Sequence, residues 1–114
     1  MRNERTRSRT IRKRIGKCRG IFRAFNEIQL RFAEKLDQRE DIKAIECNVR
    51  LVGLSIGEGY TSDLVCAKED GSLMVRETVQ RKHLLRPSTA RLSDASREYW
   101  LSKGAKDWGI VLDE

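Results

Sequence analysis

The sequence has a single histidine (His83), a single proline (Pro87) and few aromatic residues, 6% of the chain. A lone histidine cannot build a histidine-based metal cluster. The three cysteines, Cys18, Cys47 and Cys66, are widely spaced, odd in number and form no Cys-x-x-Cys pair. That pattern excludes a zinc site of the usual spacing and a disulfide framework, and it reads as reduced thiols in a cytoplasmic protein. No apolar run approaches the roughly 20 residues that a membrane span requires. The basic N-terminus is not followed by an apolar segment of signal-peptide type, so export is not expected. Neither Gly-x-x-x-x-Gly-Lys-Ser/Thr nor Gly-x-Gly-x-x-Gly occurs, which leaves nucleotide hydrolysis and dinucleotide binding without a motif.

What the sequence does have is positive charge, and it is unevenly placed. The 114 residues carry a net charge of +7. Residues 1–20 hold nine basic residues against Glu4, a net of +8, and the remaining 15 basic and 16 acidic residues leave the body at −1. Arginine outnumbers lysine seven to two in that segment, and its planar fork suits phosphate. The segment is therefore expected to be a flexible basic arm that contacts nucleic acid through Arg7, Arg9, Arg12, Lys13, Arg14, Lys17 and Arg19. The bland alternative is a solvated tail. A second cluster, Arg76, Arg81, Lys82, Arg86 and Arg91, suits a phosphate track on the body.

From residue 21 onward one domain is expected, 21–114. Ile21, Phe25, Ile28, Phe32 and Leu36 recur at three- and four-residue steps, which predicts an amphipathic helix from Ile21 to about Gln38. Partial alternation over residues 42–52 predicts a strand. Asp70-Gly71 predicts a hairpin turn between a strand near 63–67 and a longer one from Leu73 to about Gln80. A helix capped by Ser88 or Thr89 follows Pro87 and stops near Gly104, and Trp108–Leu112 reads as a buried strand. The order α-β-β-β-α-β implies an α/β fold, a small mixed sheet flanked by helices. Tyr99, Trp100 and Trp108 sit at core spacing and read as packing rather than base stacking.

Three acids fall where this order would gather them: Glu27 on the first helix, Asp63 in the first hairpin strand, and Glu77 in its partner. Carboxylates on neighbouring strands can share a magnesium ion, which needs one or two of them plus waters and substrate oxygens. Such an ion activates water and stabilises the leaving oxygen of a phosphodiester.

A glutamate-bearing helix, Tyr60-Thr61-Ser62-Asp63, the Asp70-Gly71 hairpin into the strand with Glu77, a helix and Trp108–Leu112 together form a recognisable run. It resembles the PD-(D/E)XK nuclease superfamily, within it the TnsA-like transposon endonucleases and small phage and archaeal junction resolvases. The resemblance covers about residues 21–114. It implies a restriction-endonuclease-like fold and DNA cleavage dependent on Mg²⁺ or Mn²⁺, with Glu27, Asp63 and Glu77 as ligands. Two positions depart from the pattern. Ser62 stands where the family usually has proline, and Val79 stands where it has lysine. A shifted reading, Gln80-Arg81-Lys82, supplies Lys82 instead. Strand alternation puts Gln80 and Lys82 opposite the Glu77 face unless a bulge intervenes, while Arg81 shares that face.

The expectation is a nucleic-acid-binding protein of a mobile genetic element, with DNA favoured over RNA. It is either a metal-dependent endonuclease or resolvase subunit, or a non-catalytic descendant. The latter would serve as a DNA-binding accessory protein or as an inhibitor of a host defence nucleoprotein, anti-CRISPR-like. A homodimer or a place in a larger nucleoprotein complex is open in both cases. A structural ribosome-associated protein would explain the arm but not the acids.

Overall fold

The computed structural model describes residues 1–4 and 9–113; Arg7, one of the expected phosphate contacts, lies outside them. The Asp70-Gly71 turn organises the sheet. Gly71 adopts φ 87°, a left-handed conformation that costs glycine nothing. Asp70 accepts hydrogen bonds from the Ser72 amide and hydroxyl at 2.9 and 2.6 Å. The chain thereby reverses from strand Tyr60–Lys68 (β5) into strand Leu73–Val79 (β6). Their pairing is symmetric about Asp70, with Leu64 opposite Arg76, Val65 opposite Val75 and Cys66 opposite Met74. Strand Ile42–Arg50 (β4) lies antiparallel along the other edge of β5. Strand Asp107–Leu112 (β7) runs parallel to β6, reached by a crossover through helix Pro87–Ser102 (α2).

Alternation sends the apolar residues of the hairpin to two faces, and each face is covered. Leu64, Cys66 and Met74 pack with Ala33 and Leu36 of helix Glu27–Asp37 (α1). Val65 and Val75 pack with Ala95 and Trp100 of α2. Burial on both sides explains why β5 is buried without a break from Thr61 to Cys66. The mixed sheet with helices on its faces is the expected α/β class. Among the described residues no helix is long and apolar enough to cross a membrane.

The N-terminal part differs from the sequence reading. Arg2–Asn3 (β1) pairs with Tyr60 and Thr61, and Ile11–Arg14 (β2) forms an antiparallel ribbon with Ile21–Ala24 (β3). Arg2–Asn3 and Ile11–Arg14, within the segment expected as a flexible arm, are strands, as is Ile21–Ala24 beyond it, and the order becomes β-β-β-α-β-β-β-α-β. The helix expected from Ile21 begins six residues later, at Glu27. Its start is fixed by a reciprocal cap: the Asn26 side chain accepts from the Gln29 amide at 2.8 Å, and the Gln29 side chain accepts from the Phe25 amide at 2.9 Å. Phe22 and Ala24 are buried while Ile21 and Arg23 are exposed, a period of two rather than 3.6.

This register has a direct test. Phe22→Ala removes a fully buried ring and is expected to cost about 3–5 kcal/mol in urea unfolding. Ile21→Ala, at a half-exposed position, should change stability by less than about 0.5 kcal/mol. The reverse ranking would restore the helical reading of residues 21–25.

Candidate functional site

The hairpin brings Asp63 and Glu77 face to face, and the sheet opens where they meet. Regular pairing of β5 with β6 stops at Leu64 and Arg76. Beyond that point the side chains take over the amide donors. The Asp63 amide donates to Glu77 Oε1 at 2.8 Å, and the Thr78 amide donates to Asp63 Oδ2 at 2.8 Å. One edge of β5 is already held by β4, where Arg50 pairs with Thr61. β1, pairing with the same Thr61, must therefore lie on the edge that β6 has left. It fills the fork and carries the Met1 amino group to 3.2 Å from Asp63 Oδ2 and 3.1 Å from Glu77 Oε1.

Glu77, 1% exposed, is held by further donors. Ser62 Oγ donates to its Oε2 at 2.7 Å and Ser96 Oγ of α2 does so at 2.5 Å. The two indoles stand behind these hydroxyls: Trp100 Nε1 donates to Ser62 Oγ at 2.8 Å and Trp108 Nε1 to Ser96 Oγ at 3.0 Å. The tryptophans thus pack, as expected, and also orient the serines. Asp63 Oδ2 takes one more bond, from Thr78 Oγ1 at 2.9 Å. Burial pushes the Met1 ammonium down, but the Glu77 and Asp63 carboxylates outweigh it and hold its pKa above the ordinary 8.0.

Glu27 does not join this pair. It occupies the first turn of α1, its side chain 70% exposed, and it pairs with Arg31 at 3.2 Å. The helix packs against Leu64, Cys66 and Met74, and among the described residues no hydrogen bond or ion pair joins Glu27 to Asp63 or Glu77. The helical residue that does reach the fork is Gln29, fully buried, whose amide donates to the Asp63 carbonyl and to Asn48, each at 2.9 Å. Gln29, Ser62, Thr78 and Ser96 were missed as site residues because hydroxyls and amides carry no spacing signature. The Asn26-x-x-Gln29 cap was the one available pointer to Gln29.

The cationic candidates also lie elsewhere. β6 ends at Val79, so alternation does not extend to Arg81 and Lys82, which begin a short 3₁₀ turn, Arg81–His83. Arg81 is tied to Asp113, its amide at 2.6 Å from Oδ1 and its Nε at 2.8 Å from the carbonyl. Lys82 is exposed, and neither residue touches the carboxylates. Gln80 and Val79 instead line a cavity of about 330 Å³ together with Arg2, Phe25, Asn26 and His83. The Arg2 guanidinium stacks 4.1 Å over Phe25. His83 is held below its ordinary pKa, first by desolvation and then by Arg86 and Lys82.

Several expected phosphate contacts are engaged within the fold. Arg76 donates to Asp107 Oδ1 at 2.7 Å, and Lys68 reaches Oδ2 of the same carboxylate at 2.6 Å. Lys17 donates to the Arg39 carbonyl, and Lys13 pairs with Glu34 at 3.1 Å. Arg9, Arg12, Arg14, Arg19, Arg86 and Arg91 remain exposed.

Asp63 and Glu77 are by themselves a chemically adequate carboxylate set for magnesium. The fit fails on their surroundings. Both Glu77 oxygens already accept two donors each, the third expected ligand points to solvent, and the place of the lysine is an apolar side chain. Among the described residues no three His, Cys, Asp or Glu side chains gather to hold an ion. Compared with known proteins, the chain matches no family model and no curated protein.

Two measurements check this arrangement. Glu77→Ala leaves buried donors without an acceptor and is expected to cost about 3–5 kcal/mol, whereas Glu27→Ala should stay within about 0.5 kcal/mol. A group whose pKa is raised on folding stabilises fully below its unfolded value and loses that contribution as pH rises through the folded one. For the chain beginning at Met1, stability should therefore fall above pH 8.0. Burial of Cys66 and Cys18, each pushed up to about 11, adds a loss of the same sign at higher pH. Urea midpoints from neutral to alkaline pH should show a shallower fall in Asp63→Asn than in wild type.

Proposed function

We propose that this protein binds DNA through exposed arginines and uses its carboxylate pair to hold the fold rather than to cut. In this reading it is a cytoplasmic accessory or inhibitory protein of a mobile genetic element, with a nuclease-like architecture kept for binding. The observation that carries it is the division of charge. Both Glu77 oxygens and Asp63 Oδ2 are occupied by internal donors, while Arg12, Arg14, Arg23, Arg86 and Arg91 stand exposed. An unbalanced cationic surface draws a polyanion by releasing its counterions, a favourable term that falls steeply with salt.

One observation favours a second reading, a Mg²⁺-dependent DNA endonuclease: Asp63 and Glu77 converge at the fork of the sheet, the point at which the resemblance would gather them. To hold an ion there, a divalent cation must displace the Met1 amino group from both carboxylates.

Fluorescence anisotropy with labelled DNA at several salt concentrations tests the first reading. The logarithm of affinity should decline linearly with the logarithm of salt, by about 0.9 for each phosphate contacted. Binding that is absent at low salt, or indifferent to salt, would overturn it. Millimolar Mg²⁺ or Mn²⁺ should neither nick supercoiled or branched DNA nor raise the unfolding temperature. A rise that Asp63→Asn abolishes, accompanied by nicking, would establish the endonuclease instead.

A further inference from the structure

We propose that the β2–β3 ribbon is the element that enters the major groove of duplex DNA, with Arg12, Arg14 and Arg23 meeting the phosphates at its edges. The proposal rests on the DNA-binding reading above and adds to it which element docks, on which form of nucleic acid, and through which residues.

Residues opposed across an antiparallel pair share a face of the ribbon. Arg12 lies opposite Arg23, and Arg14 opposite Ile21. The alternate residues Phe22 and Ala24 are buried against the body, so Arg12, Arg14 and Arg23 share the outward face. Two arginines directly opposed repel each other, a cost that a solvated face has no reason to carry. No acid lies on either strand, which read Ile-Arg-Lys-Arg and Ile-Phe-Arg-Ala. On the inward side Lys13 does find an acid, Glu34, at 3.1 Å, whereas no ion pair forms to Arg12, Arg14 or Arg23 among the described residues. Polyanionic phosphate is the partner that converts this repulsion into binding.

The ribbon is also held in place. The Asn48 side chain donates to the Arg23 carbonyl at 2.7 Å, and the turn between the strands is anchored where the Ile45 amide donates to the Lys17 carbonyl at 2.9 Å. The Lys17 amide in turn donates to Asp37 at 2.9 Å. A ribbon fixed before binding loses little freedom on docking. Its position is equally suggestive: β3 runs directly into Phe25 and Asn26, which line the cavity beside the fork.

Shape selects the nucleic acid. The major groove of B-form DNA, about 12 Å wide, admits a two-stranded β-ribbon, whereas the major groove of A-form RNA is too deep and narrow. Arg12 and Arg14, two residues apart on one strand, are separated by about 6.8 Å. That distance is about twice the 3.4 Å axial spacing of phosphates along one DNA strand, so each arginine can meet its own phosphate.

The test compares two triple variants of the full chain. One is Arg12→Gln, Arg14→Gln, Arg23→Gln in the ribbon; the other is Lys82→Gln, Arg86→Gln, Arg91→Gln, running from the 3₁₀ turn through the cap of α2 into its first turns. The probes are a labelled DNA duplex longer than the protein's 35 Å extent and double-stranded RNA of the same sequence. All changed side chains are exposed, and unfolding midpoints close to wild type verify that both variants fold. The ribbon variant should bind DNA at least tenfold more weakly, with a salt slope reduced by about 2.7 for three lost contacts, a larger loss of affinity than the helix variant shows. If wild type binds DNA and the ribbon variant matches it in affinity and slope, the ribbon assignment is wrong and the DNA-binding reading survives. Equal or tighter binding to the RNA duplex overturns the groove assignment. Failure of wild type to bind either probe overturns the DNA-binding reading, and the ribbon assignment with it.

Discussion

The Glu77 carboxylate, buried in the centre of the molecule, constrains nearly everything around it. Removing a carboxylate from water costs several kcal/mol even after relaxation, and the charge persists only when donors replace the lost solvent. Here four donors come from three separate parts of the chain: Ser62 Oγ and the Asp63 amide of β5, Ser96 of α2 and the Met1 amino group ahead of β1. Each must arrive for the site to be satisfied, so the carboxylate fixes the docking of α2, the entry of β1 and the opening of the hairpin at once. The two indole N–H groups extend the same requirement outward by holding the serines in their donating positions. A network of this kind specifies one arrangement because a partly assembled version leaves buried polar groups unpaired.

Legibility in the sequence followed how local the determining interaction was. Asp70-Gly71 could be read as a turn, and a turn centred there forces residues seven positions to either side into register, so the meeting of Asp63 and Glu77 followed from the hairpin alone. A helix near Pro87 was similarly plain, although Pro87 itself opens α2 and Arg86, rather than Ser88 or Thr89, precedes it as the cap. The start of α1 was not. Ile21 and Phe25 happen to fall on the same 3.6-residue stripe as Ile28 and Phe32, and that coincidence masked the alternation of Phe22 and Ala24. Once the helix is placed too early, Glu27 appears to lie inside it rather than at its exposed first turn. The hydroxyl and amide ligands of the carboxylates were illegible for a different reason. Ser62, Thr78 and Ser96 act by virtue of long-range packing, which no window of sequence contains.

The end of β6 illustrates a related failure. Extending strand alternation through Arg81 and Lys82 assumed that the ladder continues. The parallel partner β7 ends at Leu112, opposite Val79, and the chain turns at once into the 3₁₀ segment. Asp113, the next residue of the partner, captures Arg81 and directs it along the strand end rather than into the fork. A cation that looked available to the carboxylates by parity is thus claimed by a neighbour one residue beyond the last pair.

These placements bear on why binding and cleavage compete within one fold. A carboxylate that is to hold a divalent ion must leave lone pairs uncommitted and accept the cost of incomplete hydrogen bonding until the ion arrives. At Glu77 the hydroxyls of Ser62 and Ser96 occupy one oxygen, while the Asp63 amide and the Met1 amino group occupy the other. On the proposed reading, the same donors that make the fold cohere compete with a metal ion for the Glu77 oxygens. A valine at position 79 adds apolar surface where a lysine would need its charge solvated or paired. The exposed arginines of the ribbon are, on the proposed reading, the part of the molecule that faces its partner.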